Sequence, residues 1–123
     1  MVSSKYKSSI IFHDWKNKNY INKLISNSYL LLFPSIYPEA FGISGIEAMM
    51  HGKPVVGFNV GGVSSWLFHD KTGYLVKPKD TEGLTKSIIS LINDKKKYRN
   101  FSINSRKIAL ELFDEKKHFY RLI

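Results

Sequence analysis

The 123-residue sequence contains no cysteine. That absence excludes a disulfide framework, thiolate metal sites and a cysteine nucleophile. Long apolar runs are also missing. The longest, Tyr29–Phe33, falls far short of the ~20 residues that a membrane-spanning helix requires. The opening MVSSKYKSSIIF carries two lysines but no extended apolar stretch, so a secretory signal is not expected and the expected location is cytoplasmic. Acidic residues are few, ten against nineteen Lys and Arg, for a formal charge of +9. The sign favours anionic partners such as phosphates, nucleic acid or an acidic membrane surface. The rest is ordinary for a folded chain: 43% apolar, 14% aromatic and 24% charged. Such values exclude a disordered polymer, and the length suits one domain over residues 1–123. No internal repeat or low-complexity linker interrupts it.

Apolar spacing predicts an alternation of strands and helices. Ser9–Phe12 reads as a strand ending at His13-Asp14-Trp15. Ile21, Leu24 and Ile25 lie at helical intervals and predict an amphipathic helix over about 19–28. Tyr29–Phe33 is continuously apolar, as in a strand buried on both faces, and Pro34 stops it. Ser44–Met50 reads as a helix with Gly52 and Pro54 as stop signals. Pro54–Phe58 is a strand, Val63–Phe68 a short helix with Trp66 in the core, and Tyr74–Val76 a strand. Asp80 reads as the cap of one helix. Asp94 reads as the cap of a second, with Tyr98, Phe101, Ile108, Ala109 and Leu112 inward. A last helix is expected from Asp114. This order implies an α/β fold: a Rossmann-like parallel sheet flanked by helices, with right-handed crossovers. Ligands then sit at the carboxyl ends of strands, which directs attention to His13–Asn17, Pro34–Ser44 and Asn59–Gly62.

The Pro34–Ser44 loop leaves a strand, bends through glycine and enters a helix. The first N–H groups of a helix lack internal partners, and the dipole concentrates positive potential there. Gly42 and Gly45 lack a Cβ, so a ligand can approach the backbone, or they serve helix–strand packing. The result is a socket for an anion such as a phosphate. The dipole supplies about 0.3–1 kcal/mol when exposed, so tight diphosphate binding needs cations as well. Glu39 and Glu47 flank the socket. A carboxylate suits sugar hydroxyls, so Glu47 can accept two bonds from a vicinal diol and Glu39 can face a sugar on the outer phosphate. Ser44-x-x-Glu47 is equally the pattern of a capping box, and Glu39 after Pro38 equally a solvated turn residue.

The stretch Phe33-Pro-Ser-Ile-Tyr-Pro-Glu39-Ala-Phe-Gly42-Ile-Ser-Gly-Ile-Glu47-Ala-Met-Met-His-Gly52-Lys-Pro54-Val-Val is similar to the signature of retaining glycosyltransferases of family 4, the glycosyl transferases group 1, which have the GT-B fold. Their pattern is Glu, seven residues, Glu, then Ala-Met and Gly-x-Pro-Val-Val. Val60-Gly61-Gly62, Thr72–Pro78 and the ending Leu112–Tyr120 follow in the same order, so the likeness spans about residues 9–123. It implies the C-terminal, donor-binding domain of such an enzyme, which binds a nucleotide-diphospho-sugar. It assigns Glu39 as the catalytic or sugar-orienting residue and Glu47 to the ribose hydroxyls. The backbone N–H groups of Phe41, Gly42, Ile43 and Ser44 are assigned to sugar and phosphate. Transfer of a hexose with retained configuration is implied, without a metal or other cofactor. A helix terminus with basic side chains can then carry the charge of the leaving diphosphate.

Three departures qualify the likeness. The acceptor-binding N-terminal domain has no counterpart here, and neither does the Arg/Lys pair that faces the diphosphate; Lys5 and Lys7 do not match it. The chain alone is therefore expected to show little or no transfer. It reads as half of a split enzyme, with a separate N-terminal half as partner, or as a fragment. The alternative is a non-catalytic nucleotide-sugar-binding or assembly module that complements a separate chain. At Ser65 the family often has Glu.

His51 reads as a helix C-terminal charge, and His69 and His118 have no partner at ligand spacing, so no metal site is expected. His13-Asp14-Trp15 reads as a base-lining loop or as a polar loop with Trp15 packed on the fold. Residues 71–123 hold thirteen Lys and Arg against six acids, whereas residues 1–70 hold six against four. Lys95, Lys96, Lys97, Arg99, Arg106, Lys107, Lys116 and Lys117 make either a solvated helical face or a peripheral contact with an anionic membrane, at the inner face of the cell. Nucleic acid is disfavoured, because no aromatic stacking pattern interleaves these cations.

Overall fold

The computed structural model describes residues 4–36 and 43–122, with the side chains of residues 5–36 and 44–112. A single 3-10 turn, Ser4–Ser9, precedes helix α1, Lys18–Ser26. Asn17 caps α1 by accepting from the Tyr20 N–H at 2.9 Å. Strand β1 is Leu31–Phe33, helix α2 is Ile43–Met50, and strand β2 is Val55–Phe58. A 3-10 turn, Gly61–Ser65, leads to strand β3, Gly73–Val76. Helices α3, Thr81–Asn93, and α4, Lys95–Leu122, complete the chain.

The three strands form one parallel sheet in the order β1-β2-β3. Leu31 pairs with Val55, and Val55 with Gly73. Gly73 is dictated by this pairing: a Cβ there would overlap the Val55 carbonyl. Successive β2 residues face opposite layers, as strand geometry requires. Val55 packs with Ile25 of α1, Ile46 and Met49 of α2, Trp66, Leu67 and Ala109 of α4. Val56 and Phe58 pack with Tyr74, Val76, Leu84, Leu91 and Phe101. Helix α4 serves both layers, Phe101 on one and Ala109 on the other.

Helix boundaries follow their capping chemistry. α2 ends in a Schellman motif. Lys53 N–H donates to the Ala48 carbonyl, Gly52 N–H donates to Met49, and Gly52 takes φ +71°. Ser102 Oγ of α4 then donates to the Gly52 carbonyl at 2.6 Å, tying the end of α2 down. Asp80 accepts from Gly83 N–H, and Asp94 from Lys97 N–H, as expected for two N-caps.

Three expectations are corrected. Residues 9–12 do not form a strand. Among the described residues no strand pairs with them, and Ile11 and Phe12 stay exposed. β1 is shorter than expected and is an edge strand; only β2 is buried along its whole length. The chain does not restart a helix at Asp114, since α4 runs unbroken from Lys95 to Leu122. No Gly or Pro occurs after residue 94, and an internal Asp alone does not break a helix. Trp66 is fully buried, in line with its expected place in the core.

Candidate functional site

The carboxyl end of β1 feeds the connection that re-enters as α2. Of the residues assigned to the site, Glu39, Phe41 and Gly42 lie outside the described residues. Ile43 is the first residue of α2 and Ser44 the second, with Ser44 exposed. Ile43 and Ser44 thus hold two of the N–H groups that begin the helix without an intrahelical acceptor. Glu47 sits one turn further in and is half-buried.

This placement separates the two readings of Ser44 and Glu47. A capping box needs Ser outside the helix at the N-cap and Glu at the third helical position. Here α2 begins at Ile43, which puts Ser44 at the second helical position and Glu47 at the fifth. Glu47 makes no side-chain hydrogen bond or ion pair with the described residues. Glu47 thus stands midway along α2, and no described group takes up the acceptor capacity of its carboxylate.

One further connection leaves the same side of the sheet. After β2, Asn59 N–H donates to the Val76 carbonyl at 2.7 Å. Gly61 takes φ +51° and opens the turn that leads to Trp66. Ser65, where the family often has Glu, hydrogen-bonds its own turn by donating to the Gly62 carbonyl at 2.6 Å. The turn therefore closes locally without that carboxylate.

Of the two readings of Gly45, the structure shows packing, here against Trp66. The open side of the glycine faces no solvent-filled gap, because the six-membered ring of Trp66 occupies the space where a Cβ would stand. Phe33, the last residue of β1, meets the same indole edge to face, with centroids 5.6 Å apart. A sequence pattern shows the glycine but not what fills its place. Trp66 was legible as core and not as a neighbour of α2.

The remaining candidates sit apart. Trp15 is 89% exposed rather than packed on the fold. His13 meets Tyr20, Nδ1 to hydroxyl, at 3.3 Å. His69 Nδ1 accepts from Leu75 N–H at 3.0 Å, a structural bond at the edge of β3. No group of three potential metal ligands occurs among the described residues. A cavity of about 360 Å³ beside the amino end of β3 is lined by Asp70, Asp94, Lys97, Phe101 and Asn104. Lys96 and Asn100 complete its lining, and four of its polar groups are engaged within the protein. Lys97 pairs with Asp70 at 3.7 Å, Asp94 caps α4, and Asn104 donates to the Lys71 carbonyl.

Comparison with known proteins identifies the family and the fold. Residues 3–108 match the family model for glycosyl transferases group 1. N-acetyl-alpha-D-glucosaminyl L-malate synthase of Bacillus anthracis is 35% identical over 97 residues, 79% of this chain and 25% of that protein. Anabaena HepE, solved in complex with UDP and glucose, superposes with a TM-score of 0.71 at 33% identity, over 74% of this chain and 25% of that one. Sucrose-phosphate synthase of Thermosynechococcus elongatus superposes with a TM-score of 0.78 at 26% identity, over 97% of this chain and 32% of that one. The chain thus spans a quarter to a third of the length of these relatives. Its parallel sheet with flanking helices is part of a GT-B fold, and the chain belongs to the glycosyl transferases group 1 family.

Proposed function

We propose that this chain is the donor-binding part of a retaining glycosyltransferase of family 4, taking a nucleotide-diphospho-sugar and passing its hexose to an acceptor held by another domain. The observation that carries the reading is Glu47: a half-buried carboxylate behind the entrance of α2, with no partner among the described side chains. A carboxylate so placed accepts from the two ribose hydroxyls. The N–H groups of Ile43 and Ser44, with those of Phe41 and Gly42, receive the diphosphate and the sugar. Glu39 orients the transferred sugar. The dipole of α2 favours the charge that develops as the glycosidic bond to the diphosphate breaks. The relatives support the ligand class: HepE was solved with UDP and glucose.

The location consistent with such a donor is the cytoplasm, with peripheral contact at the inner membrane face. Among the described residues no helix is long and apolar enough to cross a membrane. Lys96, Ile103 and Leu110 recur every seven residues on α4, are exposed, and are flanked by exposed Arg99, Arg106 and Lys107. A basic, partly apolar face of this kind rests on anionic lipid.

A second reading, a module that complements a separate chain, is favoured by one observation. The outer edge of β1 carries no strand among the described residues, Leu32 is 39% exposed, and Ile11 and Phe12 lie uncovered. A separate N-terminal half would cover such surface, and without one little turnover is expected.

Calorimetric titration of the chain with UDP-glucose, GDP-mannose and ADP-glucose tests the reading. One of the three is expected to bind. Glu47→Ala should weaken it about tenfold, equivalent to ~1.4 kcal/mol, with an unchanged Tm. Absence of heat with all three overturns the proposal.

A further inference from the structure

We infer that Trp66 is a positioning residue for the donor site, a clamp that fixes how the first turn of α2 stands on the sheet. For its functional meaning the inference rests on the donor-site reading above; the clamp itself rests on packing. Gly45 is the third residue of α2, between Ser44 and Glu47. Glycine is a poor choice inside a helix, and alanine there would strengthen it. The reason alanine is absent is steric. A Cβ at Gly45 would fall on Trp66 Cη2 and lie 2.5 Å from Cζ3 and 2.7 Å from Cζ2. The obstacle is not the tip of a flexible chain. It is the far edge of a rigid indole that is fully buried and held edge to face by Phe33.

A second observation points the same way. Trp66 Nε1 is a buried donor with no acceptor among the described residues. A stranded N–H is a standing cost that a phenylalanine would avoid. Phenylalanine lacks the second ring, and it is the six-membered ring at the far end of the indole that reaches Gly45. The residue is thus held for its reach.

That reach joins the right places. Phe33 is the last residue of β1, and Gly45 lies in the first turn of α2, so one indole touches both ends of the connection that carries Glu39. Trp66 itself follows the turn after β2. The angle of α2, and with it the direction of the Ser44 N–H and the Glu47 carboxylate, is set by how this ring seats.

Hydrogen exchange and binding, measured together, test the clamp. Trp66→Leu is expected to speed exchange at the amides of Glu47 to Met50 at least tenfold relative to those of α3, and to weaken the nucleotide-sugar that the wild type binds about tenfold. Gly45→Ala, which displaces the ring, should do the same. The double variant Gly45→Ala/Trp66→Leu, in which the added methyl meets no indole, should be no worse in either readout than Trp66→Leu alone. If Gly45→Ala does not fold, Trp66→Leu alone still decides the exchange result, and folding regained in the double variant supports the clamp. Wild-type exchange at α2 in Trp66→Leu overturns the inference. So does faster exchange with unchanged affinity, which would leave Trp66 a packing residue only. If the wild type binds none of UDP-glucose, GDP-mannose or ADP-glucose, the donor-site reading fails and the inference loses its functional half, while the exchange ratio still decides the packing half.

Discussion

The two ends of the sheet treat similar apolar residues in opposite ways. On the β2–β3 side, Val56, Phe58, Leu84, Leu91 and Phe101 are covered from both helices. On the β1 side, Leu32, Ile21 and Leu24 are 38–39% exposed, and Phe12 is 81% exposed. Composition does not separate the regions; neighbours do. An apolar side chain stabilises a fold by the area it removes from water, and that requires an element lying across it. α3 and α4 supply this for β2 and β3. Nothing among the described residues supplies it for the outer edge of β1. The candidate site stands at the seam, where β1 hands over to α2.

This contrast can be broken by substitution. The largest effect is expected at Leu91, which is fully buried in α3: Leu91→Ala should cost about 2–5 kcal/mol in urea unfolding. Phe12→Ala removes a larger side chain yet should change stability by less than ~0.5 kcal/mol. Equal losses would mean that the exposed segment is packed after all. An intermediate effect belongs to the caps. Asp94→Ala strands the Lys97 N–H at the start of α4 and should cost about 1 kcal/mol in the same measurement.

The smallest effect is a pH dependence that ties the two regions together. Tyr98 of α4 donates to the Tyr29 carbonyl and stacks on the Tyr29 ring with centroids 4.0 Å apart. Burial first, and then Tyr29, push the Tyr98 hydroxyl above its ordinary range. The unfolded chain therefore loses this proton at lower pH than the folded one. The contribution is fully present below pH ~10 and declines as pH rises through the raised folded value. Thermal unfolding between pH 9 and 11 should show a decline that is shallower in Tyr98→Phe.

What was legible in the sequence was local chemistry. Asp80 and Asp94 cap helices because their carboxylates reach an N–H three residues on, and Gly52 ends α2 because only the left-handed region closes the Schellman bonds. The parallel sheet followed from the alternation of elements. What was not legible depended on distant partners. Residues 9–12 have the composition of a strand, but a strand exists only beside another. Continuous apolar residues at Tyr29–Phe33 suggested burial on both faces, which an edge position denies to Leu32. At the site, the place of Ser44 and Glu47 on one helix was legible from spacing. The occupant of the Gly45 gap was not, since twenty residues separate that glycine from Trp66.

The central claim is that the Glu47 carboxylate receives the ribose hydroxyls of a nucleotide. Its most direct test is the coupling between the two partners, measured by titrating UDP and 2′-deoxy-UDP into wild type and Glu47→Ala. Removal of the 2′-hydroxyl should weaken binding to the wild type about tenfold and binding to Glu47→Ala hardly at all, because the group that reads it is already gone. An equal loss in both proteins would contradict the account.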